Sequence, residues 1–236
     1  MRKGLKPWNK GLTKENNSSV LKISKTLKRK KLDNFREWRD KMRKLGKIRS
    51  VYPEFKKNGD LAELIGVVLG DGHIEKFPRT ESLSIFSNSN NIGFVERYTG
   101  LIEKLFNTKP YRGRHGISAN CTCIRIYQKM ISKRLGIPTG ARKDLNIKLP
   151  LWIKSSRECL KRYLRGLYEA EGSYCVHIPT CTYKFLFSNR NESLRKNVYD
   201  GLKILGFHPH RSKYQIQISR KKEVDEVRNL IKFRQY

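Results

Sequence analysis

The chain has 236 residues, with 52 Lys and Arg against 21 Asp and Glu and a net charge of +31. That length allows one large or two small compact domains, and the 37% of hydrophobic residues can fill a core but never form the roughly 18-residue apolar run that a membrane helix needs. A charge of this size calls for a polyanionic partner, with nucleic acid ahead of an anionic membrane surface.

The excess is uneven, because residues 1–59 carry 20 of the basic side chains and only 5 of the acidic ones. The opening "MRKGLKPWNKG" lacks an apolar h-region and does not read as a signal peptide. Five cysteines, odd in number and irregularly spaced, point to an intracellular, reducing compartment.

Residues 1–20 show no sustained periodicity. The run "VLKISKTLKRKKL", residues 20–32, suits a short basic amphipathic helix. A second helix is predicted over 34–47, with Phe35, Trp38, Met42 and Leu45 on one face. Trp38, and Trp152 further on, read as packing anchors. "YPEFKKNG", residues 52–59, breaks the pattern and reads as a linker.

Beyond the linker the sequence repeats itself. Asp60 and Glu63 have capping-box spacing before "LAELIGVVLGDG", and Ser155 and Glu158 have it before "CLKRYLRGLYEAEG". Each run leads into two strand-like segments, "HIEKF" and "SLSIFSN" in the first copy, "SYCVHI" and "YKFLFSN" in the second. A helix comes after each pair, then the alternating segments "CIRIYQK" and "IQISRKK", then a closing helix near 129–136 and 221–233. The expected fold is α+β, α-β-β-α-β-β-α taken twice. Its expected parts are a basic arm and linker over 1–53, a first repeat over 54–140, a connector over 141–154 and a second repeat over 155–236. Cys175, His177 and Cys181 fall on predicted strand segments and read as strand residues rather than zinc ligands.

Small residues at Gly66 and Gly70, and at Gly166 and Ala170, share i, i+4 spacing. They let two helices approach closely about a pseudo-twofold axis, which sets Asp71 and Glu171 side by side at two helix C-termini. Helix dipoles and like charge both oppose that arrangement. It becomes sensible if divalent cations bind there, since hard oxygen ligands suit magnesium. A basic protein with such a site reads as a metal-dependent phosphodiesterase acting on nucleic acid.

"IGVVLGDG" and "LRGLYEAEG", with "LPLWI" before the second, resemble the paired motifs of single-chain LAGLIDADG homing endonucleases over about residues 54–236. The resemblance implies that the last acid of each motif, Asp71 and Glu171, binds the catalytic metal, Mg2+ with Mn2+ able to substitute. Gly70 and Ala170 immediately before them join the metal-binding set. The motif's earlier acidic position is Leu69 in one copy and Glu169 in the other. It further implies two antiparallel saddles lying along the major groove of double-stranded DNA, and a monomer with internal pseudo-twofold symmetry.

Candidate DNA contacts in the first half are His73, Glu75, Lys76, Arg79, Ser82, Ser84, Arg112, Arg114 and Arg125. Those in the second are Tyr174, Lys184, His210, Arg211, Lys213, Gln215 and Gln217. Family members carry basic residues near the metals, and aligning "IRIYQK" with "IQISRK" puts Lys129 and Lys221 in that role. "KPWNKGLTKE" resembles nuclease-associated modular DNA-binding segments, implicating Lys6, Trp8 and Lys10, with Lys28 and Arg29 on the helix after it. The resemblance implies sequence-specific double-strand cleavage across a minor groove, each acid serving one phosphodiester. Alternatives on the same fold are an RNA maturase acting on intron RNA and a catalytically silent DNA-binding regulator.

Overall fold

The computed structural model describes residues 7–30, 33, 35–47, 51–114 and 120–236. The chain divides into two units, Met1–Tyr52 and Pro53–Tyr236. Lys6, expected to touch DNA, and positions 31, 32 and 34 of the two expected arm helices lie outside the described residues.

The first unit carries α1 (Ser18–Arg29) and α2 (Arg36–Lys44). Asn17 caps α1, its side chain accepting from the backbone N–H groups of Ser19 and Val20, while Lys28 and Arg29 sit where the helix dipole favours cations. Ahead of it, Thr13 N–H donates to Asn16 Oδ1 at 2.6 Å and Asn16 Nδ2 donates to the Gly11 carbonyl at 3.3 Å. Short polar side chains thus order a segment that has no periodicity. Neither helix buries a residue. Trp38 is 54% exposed and Phe35 and Leu45 are exposed beside it, so Trp38 is not the packing anchor expected of it; α2 has too short an apolar face to build a core.

In the second unit the order is α3 (Gly59–Asp71), β1 (Gly72–Lys76), β2 (Glu81–Asn88), α4 (Ile92–Phe106), β3 (Tyr111–Arg114), β4 (Cys121–Gln128) and α5 (Ile131–Leu135). A connector bearing α6 (Leu151–Lys154) leads to α7 (Arg157–Glu171), β5 (Gly172–His177), β6 (Thr182–Ser188), α8 (Glu192–Ile204), β7 (His210–Arg211), β8 (Gln215–Ile218) and α9 (Lys221–Ile231). Each half contains a four-stranded antiparallel sheet, ordered β1-β2-β4-β3 and β5-β6-β8-β7. The fold is α+β, and the halves repeat the same order.

The caps differ from expectation. Asn58 caps α3, accepting from Leu61 N–H at 3.0 Å, and Ser156 caps α7, accepting from Cys159 N–H at 3.3 Å. Asp60 and Glu63 are drawn instead to cations. Asp60 pairs with Lys104 and with Arg162 Nη2, both at 2.6 Å. The Glu63 carboxylate, fully buried, takes Arg97 Nη2 at 2.8 Å and also pairs with Arg162. Arg165 Nε lies 3.7 Å away. This ionic knot ties α3 to α4 and α7. Removing one member of a buried pair costs more than the pair gains, because the other charge is stranded. Glu63→Ala is therefore expected to lose about 3–5 kcal/mol of stability, read as a lower urea midpoint with an unchanged slope.

The two motif helices pack backbone against backbone. A Cβ built on Gly66 would collide with the Tyr163 carbonyl, and one on Gly166 with the Glu63 carbonyl. The apolar sides of both helices, Leu64, Val67 and Val68 with Leu160, Leu164 and Leu167, are fully buried. Leu69 packs in this core. Glu169, the other residue at the motif's earlier acidic position, is buried and pins the end of the described chain, accepting from Arg234 N–H at 2.7 Å and from the Tyr236 hydroxyl.

Candidate active site

The acids stand where helix passes directly into strand. Gly72 and Gly172 have extended backbones, φ −92° and −91°, so they are not there for a left-handed turn. Their reason is proximity: a Cβ on Gly72 would meet Val68 backbone 2.5 Å away, and one on Gly172 would strike the Tyr168 carbonyl. Glycine lets each strand leave its helix at once, holding Asp71 and Glu171 at the two abutting ends. A Cβ on Gly70 would collide with Ala170 Cβ and stand 3.2 Å from Glu171 Cγ, which shows how tightly those ends meet.

Burial first, and then the charge of Glu171, push the Asp71 carboxyl up to about 7. Burial also raises Glu171, against a lowering hydrogen bond from Asn189 Nδ2 at 3.1 Å. Among the described residues no group of three His, Cys, Asp or Glu gathers here, so these two carboxylates are the acidic side chains that the helix ends bring together.

That charge has a thermodynamic consequence in a chelating buffer. The folded Asp71 value, about 7, lies above the ordinary 3.8 of an unfolded Asp, so between these values the folded form holds a proton that the unfolded form releases. The contribution favours folding at low pH and is lost as pH rises through about 7. Discounted for partial solvent access, it is on the order of 1–3 kcal/mol. Chemical denaturation in EDTA should show Asp71→Asn less pH-dependent than wild type from pH 5 to 8, and more stable at pH 8.

Three cations near the acids are not evident from the paired motifs. Arg142, on the connector, donates through Nη2 to the Val68 carbonyl at 2.9 Å and the Gly72 carbonyl at 2.5 Å, covering the negative end of α3. Its Nη1 is buried with no hydrogen-bond acceptor among the described residues. Lys143 and Arg190 join Glu171, Ser188 and Asn189 around an open cavity of 680 Å³. Asn191 holds the connector there, donating to the carbonyls of Arg142 and Leu145, each at 2.8 Å. Asn189 has a sequence signal, since it ends the second copy of the repeated "FSN". Arg142 and Lys143 have none, lying in the unrepeated connector.

No protein-family profile matches the chain. Among curated proteins, the tRNA-splicing ligase RtcB of Methanopyrus kandleri is 24% identical over 167 residues, 63% of this chain but 17% of that protein. RtcB of Pyrococcus furiosus is 25% identical over 130 residues, 50% of this chain and 13% of that one. The chain thus spans less than a fifth of the curated relatives it matches. Among solved structures, the N-terminal LAGLIDADG domain of DUF199/WhiA gives a TM-score of 0.51 at 14% identity, covering 76% of this chain and 86% of that one.

The chain has the LAGLIDADG fold. The homing endonuclease I-DmoI in complex with DNA and Mn is similar at a TM-score of 0.49 and 17% identity, covering 73% of this chain and 96% of that one. The LAGLIDADG meganuclease I-AabMI bound to uncleaved DNA gives 0.48 and 15%, covering 73% and 83%.

Strand register sorts the remaining candidates on this LAGLIDADG fold. His73, Ser84 and Arg125 form one row across the first sheet, and Glu75, Ser82 and Tyr127 the next, on the face away from the core. Cys175 with Lys184, Gln217 with His210, and Gln215 do the same in the second sheet. Exposed Tyr111 and Tyr127 belong to the outer face and were missed.

Several expected contacts are elsewhere. Tyr174 pairs with buried Phe185 and therefore faces the helices, its hydroxyl on Asp225 at 3.3 Å and its ring under Arg228. Arg211 pairs with buried Ile216 and lies 3.9 Å from the Tyr199 ring centroid. Arg112 and Arg114 share the strand parity of the core-facing residues, although both are exposed on an edge strand. Lys76 has the same parity at the end of β1, Arg79 lies in the β1–β2 loop, and Lys213 lies between β7 and β8. Trp8 and Lys10 are exposed in the first unit.

Lys129 and Lys221 are not brought to the acids. Ile124 and Ile216 are level with Gly72 and Gly172; Lys129 lies five residues further on, just past the end of β4 and roughly 16 Å along the strand, and Lys221 lies beyond the far end of β8, at the start of α9. Lys221 Nζ instead stands 5.1 Å from the Tyr183 ring centroid.

Proposed function

We propose that the chain is a divalent-metal-dependent DNA endonuclease of the homing type, which makes a staggered double-strand break at a specific sequence. The observation that supports this most is the carboxylate pair, half-buried, like-charged and placed at two abutting helix C-termini with no cation of the protein ion-paired to it among the described residues. A fold does not retain that combination for stability. Its hard oxygen donors fit magnesium or manganese. Asp71 and Glu171 would hold the ion, which when bound supplies charge neutralisation at the phosphate and activation of water.

The other groups have roles in their own right. Asn189 fixes the orientation of Glu171. Arg142 neutralises the carbonyl end of α3, which lowers the cost of placing a phosphate beside it. Lys143 and Arg190 draw the backbone of an incoming strand into the cavity. The outer faces of the two sheets would contact the duplex and set its register. The basic arm adds sequence-independent phosphate contacts. The ligase activity in the RtcB name is not transferred, since the match covers a small part of that protein.

The test is selection of binding duplexes from a randomised library, followed by incubation of the selected duplex with protein in Mg2+ or in EDTA. Cleavage of both strands in Mg2+ alone supports the proposal. Tight binding without cleavage in either buffer would replace it with a DNA-binding regulator. Binding of structured RNA in preference to every duplex would replace it with a maturase.

A further inference from the structure

A second basic cavity, of 310 Å³, lies away from the acids. It is lined by Arg97 of α4, by Lys161, Arg162 and Arg165 of α7, and by Lys232 just beyond α9, with Glu158 as its one acid. Arg162 is nine residues before Glu171 on α7, about 14 Å along the helix. The cavity therefore belongs to the ionic knot, at the other end of the motif helices.

The knot uses only part of its donors. Arg97 commits Nε and Nη2 to Glu63, and Arg162 commits Nε to Glu63 and Nη2 to Asp60. Nη1 of each has no acceptor among the described residues. Arg165 is 4% exposed and donates through Nη2 to the Gln235 carbonyl at 2.8 Å. Its Nε is buried without an acceptor, the nearest carboxylate oxygens, on Glu63 and Glu169, being 3.7 Å away. Lys161 pairs with Glu158, Lys104 shares Asp60 with Arg162, and Lys232 pairs with no carboxylate among the described residues. Six cations thus meet four carboxylates, which leaves two positive charges uncompensated.

A buried guanidinium N–H without an acceptor is costly. An oxyanion in the cavity would supply acceptors, and a dianion would balance the surplus charge. Planar guanidinium groups suit the oxygens of a phosphate. We propose that this cavity binds a phosphate dianion, either free or as the monoester end of a mononucleotide, and that the bound anion ties α4, α7 and the end of α9 together. The site is separate from the carboxylate pair and does not depend on the nuclease reading.

The test is calorimetric titration of the full chain with inorganic phosphate, and separately with adenosine 5′-monophosphate, in chloride buffer at constant ionic strength. Wild type should bind one phosphate saturably, and phosphate should raise its melting temperature. The Lys161→Gln, Lys232→Gln double variant changes residues at the rim and should bind at least about tenfold more weakly. Arg97→Lys keeps a charge beside Glu63 and removes the spare Nη1, and should weaken binding by a similar factor. Should Arg97→Lys melt early, the double lysine variant decides. Lys203→Gln, a loss of charge elsewhere on the surface, should bind as wild type.

Phosphate and mononucleotide bound alike support a site for the phosphate group itself, and a tighter mononucleotide lost with the same variant supports a nucleotide ligand. Absence of saturable binding of either ligand overturns the inference. So does an equal loss in Lys203→Gln, which would mark diffuse attraction to a basic protein. Binding lost in Lys143→Gln but kept in the double lysine variant would put the anion in the cavity beside Glu171 and overturn it as well. None of these results bears on cleavage, which the Mg2+ and EDTA comparison decides.

Discussion

Asp71→Asn and Glu171→Gln are each expected to reduce double-strand cleavage in Mg2+ by at least about a thousandfold while binding of the selected duplex is retained. The substitutions keep volume and remove charge. Loss of Asp71 also relieves its repulsion from Glu171, so binding in EDTA should tighten in either variant. End-labelling each strand separately makes the result sharper, because the two acids sit at the ends of different helices and the proposal assigns each of them to one strand. Cleavage within a fewfold of wild type by either variant would remove that carboxylate from the chemistry.

Gly66→Ala and Gly166→Ala should be strongly damaging for such conservative changes. The added methyl has no space: on Gly66 it would overlap the Tyr163 carbonyl and stand 3.0 Å from Leu167 N, and on Gly166 it would overlap the Glu63 carbonyl and stand 2.6 Å from Val67 N. The neighbours are backbone on both sides, so no rotamer change relieves the overlap. Ordinary overpacking costs about 1–3 kcal/mol, and here the helices must also separate, so a loss of about 3 kcal/mol or more is expected. Thermal melting and cleavage rate should fall together, since separation of the helices also parts the acids. Gly100→Ala is the control, a helical glycine whose added methyl meets nothing within 4 Å. A Gly66→Ala protein that melts with wild type would show that the helix contact yields.

The repeat was readable because each element has its own signal. The apolar runs ending in "GDG" and "AEG" show the helix pair, and the alternation in "SLSIFSN" and "YKFLFSN" shows the inner strands. The caps were missed by a step because Asp60 and Glu63 satisfy the capping pattern while Arg97, Arg162 and Lys104, all distant in sequence, claim their carboxylates. Strand faces were harder. Tyr174 and Arg211 are polar at their tips, yet register with Phe185 and Ile216 turns both toward the helices, and β7 is only two residues long, too short for alternation to show. Lys129 and Lys221 were linked to the acids by alignment of two segments, and the alignment carries no information on which end of a strand lies near the helix termini. Arg142 reaches Val68 and Gly72 from a connector with no repeat and no periodicity. Its role comes only from where the connector crosses.

The most direct measurement is titration of Mn2+, monitored by electron paramagnetic resonance, into the protein bound to its selected duplex. Wild type should bind Mn2+ saturably at a site that the Asp71→Asn, Glu171→Gln double variant loses, with the duplex still bound in both. Equal Mn2+ binding by wild type and the double variant would contradict the account, because the two carboxylates at the helix ends would then not be what holds the metal.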